Sequence, residues 1–116
     1  MTNVIISGAK GKMGSIVEKL ITEMEGFSVV GLYDPLFEEG HEGINTISEL
    51  PEADLIIDFC TADSIMENCT YWAKNYKNII VGSSGLNKDD RKVLSNLLDE
   101  DQLLWVVPNF SVGAVL

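Results

Sequence analysis

Basic side chains are scarce in this sequence of 116 residues: eight lysines and arginines stand against eighteen acids, Arg91 is the single arginine, and the formal net charge is -10. A field of that sign repels nucleic acid and anionic lipid, so neither is expected as a partner. Any phosphate has to be held by local backbone geometry. Histidine is rarer still: His41 stands alone in Glu38-Glu39-Gly40-His41-Glu42-Gly43, a loop-like stretch with no second imidazole or thiolate nearby, and no metal site is expected. Cys60 and Cys69 lie nine apart, which fits neither a C-x-x-C redox pair nor a zinc knuckle, and they read as reduced, packed thiols. No apolar run approaches the roughly 20 residues that cross a bilayer, so no membrane span is expected. Met1-Thr2-Asn3 runs straight into an apolar segment without the basic region of a secretory leader, and a cytoplasmic location follows by default. With 46% hydrophobic and 22% charged residues the chain is an ordinary globular one, and its length suits a single core with no room for a second domain.

What is present alternates regularly. Val4-Ile5-Ile6 is a short apolar run ending in Ser7-Gly8, as expected of a strand buried on both faces. Met13, Ile16, Val17, Leu20, Ile21 and Met24 then recur at helical spacing up to Gly26. Residues 27–33 form a second strand stopped by Asp34-Pro35, and 36–51 read as loop with one helical turn near Ser48 to Leu50. Residues 54–59 repeat the buried-strand pattern. Ser64 and Glu67 have the spacing of a capping box, and Ile65, Cys69, Trp72, Ala73 and Tyr76 mark the packed face of the helix it opens. A fourth strand at 78–81 leads into Gly82-Ser83-Ser84-Gly85. Asn87 caps the next helix, with Asp89 and Asp90 at its positive end and Val93, Leu94, Leu97 and Leu98 facing inward. A fifth strand at 103–107 ends at Pro108. Such alternation predicts an α/β fold, a Rossmann-type doubly wound parallel sheet of about five strands in one domain.

Gly8-Ala9-Lys10-Gly11-Lys12-Met13-Gly14 falls where the first strand hands over to the first helix, the place at which a dinucleotide pyrophosphate meets free amides and the helix dipole. The spacing is G-x-x-G-x-x-G rather than the familiar G-x-G-x-x-G, and a tight strand-to-helix connection without a ligand is the competing reading. Asp34, twenty residues past Gly14 at the end of the second strand, is placed to accept hydrogen bonds from the adenosine ribose. Its carboxylate would repel a 2'-phosphate, and Pro35 follows it instead of an arginine, so NAD(H) is preferred. Lys10 and Lys12 keep NADP(H) open, and a simple turn aspartate is the rival account of Asp34. Cys60-Thr61, Gly82 to Gly85 and Pro108-Asn109-Phe110 all fall at carboxyl ends of strands, the edge where open parallel sheets bind ligands.

In order, Gly8 to Gly14, Asp58-Phe59, Gly82-Ser83-Ser84-Gly85 and Pro108-Asn109-Phe110-Ser111-Val112-Gly113 resemble the successive signatures of the dihydrodipicolinate reductase family, across the whole chain. The resemblance implies that Gly8, Ala9, Lys10, Gly11, Lys12 and Met13 wrap the pyrophosphate, with Lys12 where arginine is common, and that Asp34 stands for the acidic ribose ligand. Phe59 belongs to the same cofactor surface. Gly82, Ser83 and Ser84 correspond to a Gly-Thr-Thr run beside the nicotinamide, and Val107, Pro108, Asn109 and Phe110 to the segment that positions the carboxamide.

The resemblance also marks an absence. The family's paired histidines, lysine and Pro-Ser-Gly-Thr loop lie in a second domain, and no counterpart is present, so no catalytic residue is assigned to this chain. The expectation is a cofactor-binding fragment of an NAD(P)H-dependent reductase acting on 2,3-dihydrodipicolinate in lysine and diaminopimelate biosynthesis, inactive alone. The alternative is a stand-alone dinucleotide-binding or redox-sensing module working through a partner. A third reading is a decayed pocket in a domain that only pairs with other chains. In the family the chain returns from the second domain to complete the first; without that return, 103–107 and Trp105 offer an apolar sheet edge, and a homo-oligomer through it is expected.

Overall fold

A computed structural model of the chain describes residues 1–38, 43–82 and 85–107. Five strands and three helices follow one another as β1 (Thr2–Ser7), α1 (Lys12–Glu23), β2 (Phe27–Tyr33), β3 (Leu55–Asp58), α2 (Ile65–Asn75), β4 (Asn78–Val81), α3 (Lys88–Leu97) and β5 (Leu103–Val106), with a single 3-10 turn at Ile47–Glu49 before β3. The strands form one sheet in the order β2-β1-β3-β4-β5, every neighbouring pair parallel. This is the doubly wound α/β sheet the sequence predicted. The order of the strands reverses at β1, which pairs with β2 on one side and β3 on the other, and this opens a crevice at the carboxyl ends of the strands.

Alternation along the central strands divides the core in two. Ile5, Ile56, Ile79 and Val81 face α2 and α3, meeting Ile65, Cys69, Trp72, Tyr76 and Leu94. Val4, Ile6 and Ile57 face the other way and meet Ile21 of α1. Trp72 is fully buried and takes Tyr33, Tyr71 and Tyr76 edge-on, with ring centroids 5.7 to 6.1 Å apart. All five residues predicted for the packed face of α2 are buried.

Several local expectations give way to tertiary context. Ser64 does not cap α2 with its side chain: its backbone is already helical (φ -101°, ψ -10°), because the turn from Thr61 to Ser64 runs directly into the helix. The full capping box belongs instead to α3, where Asn87 Oδ1 accepts from the Asp90 amide at 2.8 Å and Asp90 Oδ2 from the Asn87 amide at 3.2 Å. On that helix only Leu94 is buried. Val93 and Leu97 are exposed, and α3 packs chiefly against α2. Leu20 and Met24 of α1 are likewise exposed.

Strand ends are tighter than the apolar runs suggested, with Asp54, Phe59 and Val107 just outside β3 and β5. The Phe59 and Val107 amides still donate across the sheet, to Ser7 O at 3.0 Å and Val81 O at 2.7 Å. A bulge invisible to periodicity shifts β1 against β2 between Val4 and Ile5. In the loop before β3, Ile44 forms a single parallel bridge with Tyr33, covering the outer edge where β2 ends. No helix among the described residues is long and apolar enough to cross a membrane.

Candidate functional site

The glycine turn sits at the mouth of the crevice between β1 and β3, and steric demands explain two of its glycines. Gly8 has φ +75°, and a Cβ there would approach the Phe59 carbonyl to 2.8 Å; a Cβ on Gly14 would run into the Gly8 carbonyl. The third, Gly11, is different. It is the N-cap of α1, in extended conformation, and an added Cβ would meet only Gly8 O, at 3.3 Å.

Following the amides one by one sharpens what the turn can hold. Gly8 N and Ala9 N donate to Tyr33 O at 2.9 and 3.1 Å, Gly11 N to Gly8 O at 3.1 Å, and Lys10 N to Asp34 Oδ2 at 3.0 Å. All four are engaged within the protein. The first intrahelical bond runs from Ser15 N to Gly11 O, and Gly11 has no side chain to cap the amides of Lys12, Met13 and Gly14. Those three first-turn donors, aligned with the helix dipole, are therefore the groups left for an anion.

Asp34 is 94% buried and braces the turn. Besides Lys10 N its carboxylate accepts from Leu36 N at 3.0 Å, while Lys10 Nζ reaches Leu36 O at 3.1 Å. The turn-aspartate role is thus real, and it leaves part of the acceptor capacity of an ionised carboxylate unused. At the equivalent end of β3 lies Asp58, wholly buried, accepting from Trp72 Nε1 at 2.7 Å and Cys60 N at 2.9 Å. It pins α2 to the sheet, a role the sequence reading did not assign.

Both ends open on one cavity of about 900 Å3, within the size range of small-molecule sites. Of the residues expected at a cofactor, Gly8, Lys10, Gly11, Asp34 and Phe59 line it, whereas Ala9, Lys12, Met13, Gly82 and Val107 do not. Ala9 is turned into the core against α1. Gly82 and Val107 lie next to each other on the same sheet edge, at the ends of β4 and β5, with Gly82 N donating to Asp58 O at 2.8 Å. Ser83, Ser84, Pro108, Asn109 and Phe110 lie outside the described residues, as does His41.

The opposite wall is the polar face of α2, with Ser64, Glu67, Asn68, Tyr71 and Lys74, and Ile47 and Leu36 close its far side. That face went unread as a binding wall because Ser64 and Glu67 were read as a capping box and Asn68, Tyr71 and Lys74 carry no motif. Its helical spacing, opposite the packed Cys69 and Trp72, was the available signal. Ser7 Oγ, fully buried on the cavity wall, is the one buried side-chain polar atom among the described residues without a hydrogen-bond partner. An orphan hydroxyl of this kind suits a wall that a polar ligand or its water completes.

The cysteines are free and chemically quiet. Burial and then the Asp58 charge push the Cys60 thiol far above its ordinary value, and the same two causes push Cys69 up to about 12. Both are neutral thiols near pH 7, unsuited to nucleophilic work. No group of three or more potential metal ligands occurs among the described residues.

A family profile described as dihydrodipicolinate reductase, N-terminus, matches residues 2–110. The 4-hydroxy-tetrahydrodipicolinate reductase of Cutibacterium acnes is 33% identical over 118 residues, which cover 100% of this chain and 45% of that protein. The enzyme of the same name from Archaeoglobus fulgidus is 35% identical over 122 residues, 95% of this chain and 46% of the relative. Among solved structures, a dipicolinate-bound dihydrodipicolinate reductase from Paenisporosarcina sp. TG-14 gives a TM-score of 0.74 at 21% identity, covering 99% of this chain and 50% of that one. Aspartate dehydrogenase from Thermotoga maritima gives 0.58 at 20% identity, over 91% of this chain and 44% of that one. At such identities the structural likeness is one of fold. The chain spans about half the length of the curated relatives it matches. With the profile covering nearly all of its length, the chain belongs to the dihydrodipicolinate reductase family, in its amino-terminal portion.

Proposed function

We propose that this chain is the dinucleotide-holding part of a reductase that passes hydride from NAD(P)H to 2,3-dihydrodipicolinate, on the route to diaminopimelate and lysine in the cytoplasm. The observation that carries the reading is the glycine turn between β1 and α1, forced by contacts with Phe59 and Gly8 O, which leaves three uncapped amides at the start of α1 beside a cavity that Gly8, Lys10 and Gly11 line. The residues present fit a dinucleotide: the amides of Lys12, Met13 and Gly14 take the pyrophosphate, and Asp34 takes a ribose hydroxyl with its remaining acceptor sites. When bound, the nicotinamide supplies the hydride. Lys10, Lys12, Gly8 to Met13 and Phe59 serve the phosphate side, and Gly82 to Ser84 and Val107 to Phe110 serve the nicotinamide side at the ends of β4 and β5.

No acid or base for the substrate is assigned within the chain. Proton delivery and recognition of the dicarboxylate belong to the part of the longer relatives that this chain does not span, so the chain alone holds the donor and turns nothing over. NAD(H) is the preferred form because Asp34 and Pro35 offer a 2'-phosphate repulsion and no arginine, while Lys10, beside Leu36, keeps NADP(H) binding measurable.

Titrating NADH and NADPH into the purified chain, followed by the fluorescence of the reduced nicotinamide, tests the reading. Saturable binding of NADH at micromolar to millimolar concentration supports it, and no binding of either coenzyme overturns it. We also propose self-association through β5, one of the two edge strands, where Leu103 and Trp105 are 56% and 63% exposed. Sedimentation should show dimers or larger species that Trp105→Lys dissolves; a concentration-independent monomer sinks this part alone.

A further inference from the structure

The cavity's second wall carries charge that no glycine motif announces. Asp34 stands at the end of β2, and Glu67 stands across from it on the first turn of α2; both line the same cavity. Tyr33, which precedes Asp34 and lines the same cavity, is 7% exposed, and its ring packs edge-on against Trp72 of α2. Its hydroxyl is pushed above the ordinary value by burial first, then by Asp58, Asp34 and Glu67. Carboxylates of both walls thus act on one point inside the cavity.

We propose that Glu67 is a specificity-determining residue that works with Asp34 to exclude a 2'-phosphate from the adenosine end of the site. The inference rests on the dinucleotide reading above. A ribose held by Asp34 would lie in the cavity whose other wall is α2, so a 2'-phosphate, carrying nearly two negative charges, would enter a space that two carboxylates line. A bare 2'-hydroxyl pays no such penalty and can donate to either. Asp58, the third acid near Tyr33, is occupied by Trp72 and Cys60 N and lies beneath the wall.

Two cations also border the cavity. Lys10 is tethered through Nζ to Leu36 O, on the Asp34 side. Lys74 lies seven residues beyond Glu67 on α2, about 10 Å along the axis, roughly a Debye length at 0.1 M salt. Lys74 therefore does not neutralise Glu67 on the α2 wall. Glu67 is exposed, and no ion pair holds it among the described residues.

The test compares binding of adenosine 5'-monophosphate with adenosine 2',5'-bisphosphate, and of NADH with NADPH, by calorimetry on the 116-residue chain and its Glu67→Gln and Glu67→Asp variants. Glu67→Gln should improve the 2'-phosphorylated ligand three- to tenfold relative to its partner, while NADH affinity changes less than twofold. Glu67→Asp should keep the wild-type ratio, and the gain in Glu67→Gln should shrink as salt rises from 0.05 to 0.5 M. If both coenzymes bind but the ratio is the same in wild type and Glu67→Gln, or the change is insensitive to salt, Glu67 has no such role and the dinucleotide reading stands. If neither coenzyme binds the wild-type chain, both fall together.

Discussion

Asp34 and Asp58 occupy matching places on either side of β1: Asp34 directly follows Tyr33, the partner of Ser7 in β2, and Asp58 is the partner of Ser7 in β3. Their fates differ. Asp58 looks inward, where the Trp72 indole and the Cys60 amide use its oxygens and exclude solvent. Asp34 looks along the edge of the sheet, gathers the glycine turn and the Leu36 turn with one bond each, and keeps a face on the cavity. A carboxylate at a strand end becomes a structural pin or a cavity-lining group according to what packs above it. Over β3 that is Trp72 of a helix; over β2 it is a loop.

The largest break in this pairing should come from Asp58→Ala. It leaves a buried indole N–H and a buried amide without acceptors, and urea unfolding should show a loss of about 3 kcal/mol. Asp34→Ala, whose partners can reach water, should lose less than half of that. Equal losses would mean that the two acids are structurally equivalent.

Asp58 has a second consequence that Asp34 lacks, since it helps hold the Cys60 and Cys69 thiols protonated. A thiol whose folded value is raised binds its proton more tightly in the folded state. Its stabilisation is therefore complete below the unfolded thiol value and declines as pH climbs toward the folded one. For Cys69 that window runs from 9.0 to about 12, and the decline should reach about 3 kcal/mol by pH 11. Unfolding curves of Cys69→Ala, otherwise less stable, should be flatter across this range. A parallel pH profile for the variant and the wild type would contradict the assignment.

On the site side, Gly11→Asp should place a capping carboxylate over the amides of Lys12, Met13 and Gly14. Binding of NADH should fall at least tenfold, about 1.4 kcal/mol, with no drop in melting temperature. Retained binding would show that the phosphates sit elsewhere. The smallest expected effect is that of Asp34→Asn, which keeps one accepting oxygen. NADH should weaken severalfold more than NADPH, and equal losses in a binding titration would remove Asp34 from cofactor selection.

Much of this was legible in the residues. The five strands, the helix after each glycine turn, and the buried set Ile65, Cys69, Trp72, Ala73 and Tyr76 follow from apolar spacing, which is a local property of the chain. The bulge at Val4 and Ile5 was not legible, because register is settled between two strands and leaves no mark in either alone. Ser64 and Glu67 spelled a capping box that the entering turn made unnecessary, freeing Glu67 to face the cavity. The glycine motif falls at the edge of the cavity, yet it could not say which amides remain available. That depended on Tyr33 O and Asp34, which arrive from β2 to engage the amides of Gly8, Ala9 and Lys10.

By itself, then, the sequence determined the order of strands and helices, the place of the glycine turn between the first strand and the first helix, and the acidic character of the chain. Only the tertiary structure decided which of two similar aspartates is a pin and which borders the site, and that the polar face of α2 is its second wall. The physical reason is that propensity and periodicity act between residues a few positions apart, whereas hydrogen-bond saturation and burial depend on groups brought together from different strands.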